Sequence, residues 1–103
     1  MLISKKYGSN DVVSFKLVTT EEVVAKIVEE TAEGFIVNRP CTIIPSEQGI
    51  GLMQSLLSAD INNDVLLRKE HVIMHAKSIS AIEAHYIRTT TGVQVSPKGG
   101  IIT

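Results

Sequence analysis

His71 and His75 stand four residues apart, the spacing at which two zinc ligands share one face of a helix. Val72-Ile73-Met74 between them reads as strand, though. On a strand the two rings would stand about 13 Å apart on the same face, from the ~3.3 Å rise per residue. One metal ion cannot bridge that gap, no glutamate follows His71 directly, and no other Cys/His cluster accompanies the pair. Ordinary surface or interface histidines are the better-supported reading, and no metal or other cofactor is expected. His85 falls in a helical stretch with no partner in view. Cys41 is the only cysteine, and its setting after Pro40 matches no nucleophile signature, so it reads as a small buried hydrophobe. The serines and threonines show no strained nucleophile elbow. Gly49-Ile50-Gly51 lacks the glycine and lysine that complete a phosphate loop. Glu21-Glu22 and Glu29-Glu30 sit at strand ends and read as solvated turn residues rather than an acid/base pair. An enzyme is therefore the least supported class, and none is expected.

Two cationic features remain, and both suit nucleic acid. Arg68-Lys69 sits at a turn between two apolar pieces, so both cations project together; Asn38-Arg39 ends a strand. Affinity for a phosphate backbone scales with the number of phosphates neutralised, so one copy of either pair binds weakly and a ring that repeats them around a pore binds better. In a monomer a merely solvated turn explains Arg68-Lys69 equally well. Stacking groups are scarce: Phe15 and Phe35 read as core, which leaves Tyr7 and Tyr86. A net charge of −1 argues against avid non-specific binding of nucleic acid by a single chain.

The chain of 103 residues is expected to form one domain, large enough to hold a core without staples. A lone cysteine fits a reducing compartment. The start carries no long apolar run of a secretory signal, and the longest uncharged run, Gln48 to Ala59, is too short and polar to span a bilayer. These features predict a soluble cytoplasmic protein with no membrane partner.

The cations are positioned by a β-rich framework. Val13, Phe15 and Leu17 alternate with Ser14, Lys16 and Val18, and Val23, Ala25 and Ile27 alternate with Val24, Lys26 and Val28. That period of two marks half-buried strands. Polar turns at Thr19-Thr20-Glu21 and Thr31-Ala32-Glu33-Gly34 join them to a third strand at Phe35-Ile36-Val37, giving an antiparallel meander over Val12 to Val37. Pro40 predicts a bend or an edge, with Cys41 to Ile44 extending the strand beyond it. Pro45 to Gly49 reads as loop. Gly51 to Ile61 is ambiguous, since Leu52, Met53, Leu56, Leu57 and Ile61 fit a helix while the same stretch also serves a fourth strand; strand is preferred because the meander needs an edge partner. Asp60 to Asp64 is a turn, Val65-Leu66-Leu67 and Val72-Ile73-Met74 are short strands, and Arg68-Lys69-Glu70 breaks them. Ser80…Glu83 matches a capping box, predicting a helix over about 78–90, stopped near Gly92. Val93-Gln94-Val95 could be a short strand, and residues 93–103 read as a tail.

In this order of parts the chain resembles the Sm/Sm-like family. Phe15 to Val37 resembles the first Sm motif, with Ala25 where the family has glycine and Ile27 where it has leucine. Leu67-Arg68-Lys69 followed by Val72 resembles the second motif, with Lys69 in place of its glycine. The Asp…Met-Asn of the family's turn is here Thr31…Gly34-Phe35. The layout is closer to divergent members of phage or marine origin than to eukaryotic ones. The resemblance implies an all-β fold, a small, strongly bent five-stranded Sm-like or SH3-like barrel over about 12–76, to which the predicted C-terminal α-helix is added. It implies a homo-oligomeric ring, commonly of about five to eight subunits, closed by pairing of the fourth and fifth strands between neighbours. It also implies binding of single-stranded RNA near the pore, in the host cytoplasm if the chain is phage-encoded. The family binding residue carried over is Arg68; Lys69, Asn38 and Arg39 join it on charge and placement, and DNA stays open beside RNA. A ring that scaffolds other proteins is the alternative.

Overall fold

A computed structural model describes residues 6–91; the predictions at Gly92, Val93–Val95 and the tail lie outside the described residues. Strands β1 (Val12–Leu17), β2 (Glu22–Glu30) and β3 (Gly34–Ser46) form the antiparallel meander that the alternation predicts. Among the described residues there are six strands rather than five. β4 spans Gly49–Gln54, β5 Asp64–Arg68 and β6 Val72–Lys77, and the sheet order is β4-β3-β2-β1-β6 with β5 also paired to β3.

β3 is long because, besides β2 on one edge, it serves two partners in succession on the other. Its first part, Gly34 to Asn38, pairs with β5, and its second, Cys41 to Ser46, pairs with β4. The corner between them is Arg39-Pro40, where Arg39 takes φ +53° and Pro40 has no N–H to offer a ladder. The expected loop at Pro45 to Gly49 shrinks to Glu47-Gln48, because β3 runs on through Ser46. The ambiguous stretch is strand only to Gln54. Beyond it the Gln54 Nε2 donates to the carbonyls of Leu56 (2.8 Å) and Ala59 (3.0 Å), which turns the chain out of the sheet.

Register shifts at Val24/Lys26 and Ile27/Glu29 on β2, and at Lys16/Leu17 on β1, mark bulges that bend the strands. The sheet curls around a core of Tyr7, Val13, Phe15, Ala25, Ile27, Phe35 and Val37, with Leu17, Val65, Leu67 and Val72 closing its rim. It does not close into the expected barrel. Among the described residues no ladder joins β6 to β4 or β5, because β5 and β6 are linked by a single 3-10 turn, Lys69–His71, that leaves an outer edge on each.

The opposite face carries a second apolar cluster of Val12, Val24, Cys41 and Tyr86, with Ile43, Leu52 and Ile82 packed against it. Helix α1 (Ser80–Thr91) supplies its lid. The Glu83 N–H donates to the Ile79 carbonyl at 2.9 Å, so the helical ladder starts one residue before the predicted Ser80 cap. Tyr86 fixes the helix in place. Its hydroxyl lies 2.8 Å from the Asn38 carbonyl and 3.0 Å from that of Arg39, and accepts from the Lys26 N–H at 3.2 Å. One phenol thus reaches backbone groups at the β3 corner and at the facing β2 bulge. Burial pushes its pKa well above that of an ordinary tyrosine.

Candidate nucleic-acid interface

The end of the sheet that holds Arg68 and Lys69 is built from two turns tied together. Thr31 and Gly34 exchange backbone bonds (2.8 and 3.3 Å), and the Thr31 hydroxyl oxygen accepts from the N–H groups of Glu33 and Gly34, both at 3.2 Å. The turn is therefore stiff. Gly34 pairs with Arg68, and the Lys69 N–H donates to the Glu33 carbonyl at 3.0 Å. A Cβ on Gly34 would strike the Leu67 carbonyl oxygen and lie 2.9 Å from both the Arg68 Cα and the Lys69 nitrogen, so glycine is needed for the two turns to meet. Between them lies a cleft of about 230 Å3 lined by Glu30, Thr31, Ala32, Gly34, Phe35 and Lys69.

The two cations do different things. Arg68 turns onto Glu70 in an exposed ion pair of 3.0 Å, and that hydrogen bond holds the Glu70 carboxyl below the usual range. Lys69 lines the cleft opposite Glu30. Glu29, Glu30, Glu33 and Glu70 gather around the same end, so the turn is at least as acidic as it is basic.

Asn38 and Arg39 are not part of this cluster. Asn38 pairs with Asp64, four positions along from the Gly34–Arg68 pair, or about 13 Å at ~3.3 Å per residue. The Asn38 amide donates to Asp64 at 3.1 Å. The Arg39 guanidinium donates to Asn62 Oδ1 at 3.0 Å and to the Thr90 carbonyl. It caps the C-terminal end of α1, where carbonyls lack intrahelical partners and a cation is favoured. Arg39 sits at the corner within β3 rather than at a strand end as expected, because β3 runs on to Ser46; its partners lie in a distant loop and helix.

The remaining chemistry-bearing residues are absorbed by the fold. Tyr7 and Tyr86, the aromatics left over for stacking, are both buried. The Tyr7 hydroxyl meets His75 Nδ1 at 2.7 Å within an aromatic group that includes Phe15 and Phe35, and burial raises the Tyr7 pKa, with Glu30 adding to the effect. His71 ends the 3-10 turn and is exposed, so the two histidines share no site. His85 Nε2 lies 3.2 Å from the Ile50 carbonyl. Cys41 is buried and its thiol is pushed up to about 11, which keeps it protonated and unreactive. Among the described residues no three His, Cys, Asp or Glu side chains gather as a metal site, and no helix is long and apolar enough to cross a membrane.

No protein-family model matches the chain, and no curated protein sequence matches it.

Proposed function

We propose that the protein assembles head to tail into an Sm-like ring and binds single-stranded RNA or DNA with the Arg68-Lys69 end. The observation that carries this reading is the β5–turn–β6 segment. It leaves two outer edges on opposite sides of the sheet, with Leu66 exposed on β5 and Ile73 and Met74 exposed on β6. Unpaired apolar edges invite pairing, and edges that differ from each other pair heterologously, which generates a ring when the rotation closes. Arg68 ends β5 and Lys69 opens the turn between those edges, so every subunit would bring them to the same ring of positions. The strands then complete between copies the barrel that one chain leaves open.

The second reading, a ring that holds other proteins, is favoured by the four glutamates around the turn, by the Arg68–Glu70 pair and by the lack of an exposed tyrosine there. One binding experiment separates them. A labelled single-stranded RNA should bind with a steep loss on added salt, since the slope scales as roughly −0.7 per phosphate neutralised. Arg68→Glu with Lys69→Glu should abolish that binding in a particle of unchanged mass. An oligomer with no binding at low salt rejects the nucleic-acid reading and leaves the scaffold.

A further inference from the structure

Arg68 is placed to bind an anion and already holds one. Its backbone is fixed on both sides. Arg68 pairs with Gly34 in the β3–β5 ladder, and the Lys69 N–H that follows is tied to the Glu33 carbonyl at 3.0 Å. The 3-10 turn Lys69–His71 then closes as the Val72 N–H donates to the Lys69 carbonyl, and this turn carries Glu70 back beside the Arg68 side chain. The guanidinium Nε and Nη2 both lie 3.0 Å from one Glu70 oxygen, Oε2. Partners two positions apart on a held turn give up little freedom in meeting, so the pair is formed before any ligand arrives. Both side chains are 54% exposed, and a ligand can therefore reach the contact. Among the described residues Lys69 forms no ion pair, so of the two cations only Arg68 is occupied.

The occupied edge matters. A guanidinium grips a phosphate with two parallel N–H groups, one to each of two oxygens. Glu70 takes both the Nε and the Nη2 donors with a single oxygen. A phosphodiester that offers two oxygens to this edge is the better-matched acceptor, but it has to turn the carboxylate out first. The bond from Arg68 also holds the Glu70 carboxyl below the usual range, so Glu70 stays charged near neutral pH.

We propose that Glu70 is a built-in competitor for backbone phosphate at Arg68, and that a bound strand displaces it at each subunit it touches. The inference rests on the nucleic-acid reading above and names how that site is restrained. An exposed pair of this kind is weak, so each displacement lowers affinity by a factor of about two. A strand that crosses several subunits of the ring multiplies the factor, to about tenfold.

Fluorescence anisotropy with labelled single-stranded RNA at low salt tests this in the full chain. Glu70→Gln should tighten a strand long enough to cross the ring by about tenfold, and one that reaches a single subunit by only about twofold. The gain should shrink as salt rises and screens the pair. Glu47→Gln removes the same charge at the other end of β3 and should change nothing. In an Arg68→Gln background the Glu70→Gln gain should vanish. Glu70→Asp keeps the charge but shortens its reach, and should gain in the same direction if Glu70→Gln alters the particle mass. An equal gain from Glu47→Gln, or an undiminished gain without Arg68, means general repulsion and overturns the proposal. Weaker binding by Glu70→Gln means that Glu70 orients Arg68 for its ligand, and also overturns it. Wild-type binding that Glu70→Gln leaves unchanged overturns the competitor alone. No binding by either protein overturns the nucleic-acid reading and the competitor together.

Discussion

Replacing Tyr86 with phenylalanine keeps the ring that fills the second cluster and removes only the hydroxyl. That hydroxyl accepts from Lys26 and has one proton to give, shared between the carbonyls of Asn38 and Arg39. Two bonds are therefore lost, and the backbone groups they served sit under the helix. A typical bond contributes about 1 kcal/mol net, and a buried group left without a partner costs about 1–3 kcal/mol. Tyr86→Phe should destabilise by about 2–3 kcal/mol, with most of the apolar burial intact. For a domain of this size that is a fall in Tm on the order of 10 °C. The assay is urea unfolding followed by circular dichroism at one fixed protein concentration, because the proposed assembly would make apparent stability depend on concentration. Tyr86→Ala should cost more, since it also empties the cluster. A Tyr86→Phe loss below about 0.5 kcal/mol, well under one typical bond, would refute the claim that this phenol holds the β3 corner.

Further consequences follow from the same contacts. Gly34→Ala should destabilise by about 2–3 kcal/mol or more, because the added methyl meets backbone of β5 rather than a movable side chain; thermal unfolding measures it, and a neutral result would show that β3 and β5 can separate at no cost. Alkaline pH should weaken the fold. Cys41 and Tyr86 both have raised folded-state pKa values, so their stability contribution is complete below their unfolded values, near 9.0 for the thiol and 10.0 for the phenol, and is lost as pH rises through the folded ones. The loss in Cys41 sets in between pH 9 and about 11, and Cys41→Ala should flatten that limb of the stability curve measured by urea unfolding; an unchanged slope contradicts the buried-thiol assignment.

The meander was legible because its alternation is strong and its turns are polar. The second cluster was not. Val12 and Val24 fall on the mixed face of their strands, and only α1 makes that face a core. The helix itself could be read from Ile79, Ile82 and Tyr86, but not where it docks, since that depends on one hydroxyl reaching backbone from 47 and more residues away. Helical spacing over Leu52 to Ile61 was misleading for a similar reason. The Gln54 side chain ends the strand through bonds to Leu56 and Ala59 that leave no periodic trace. At the candidate site, the pairing of Arg68 with Gly34 was not legible, because the β3–β5 ladder joins residues far apart in the chain. The diversion of Arg39 to the helix end does not show in sequence, because its partners are set by tertiary contact.

In the ring proposed above, this open sheet completes itself between copies. Light scattering of the full chain across a range of concentrations tests it most directly. A closed ring should give a single particle of about five to eight chain masses that persists on dilution. A single-chain mass at every concentration would contradict it, and would return Arg68 and Lys69 to two solvated residues on a turn.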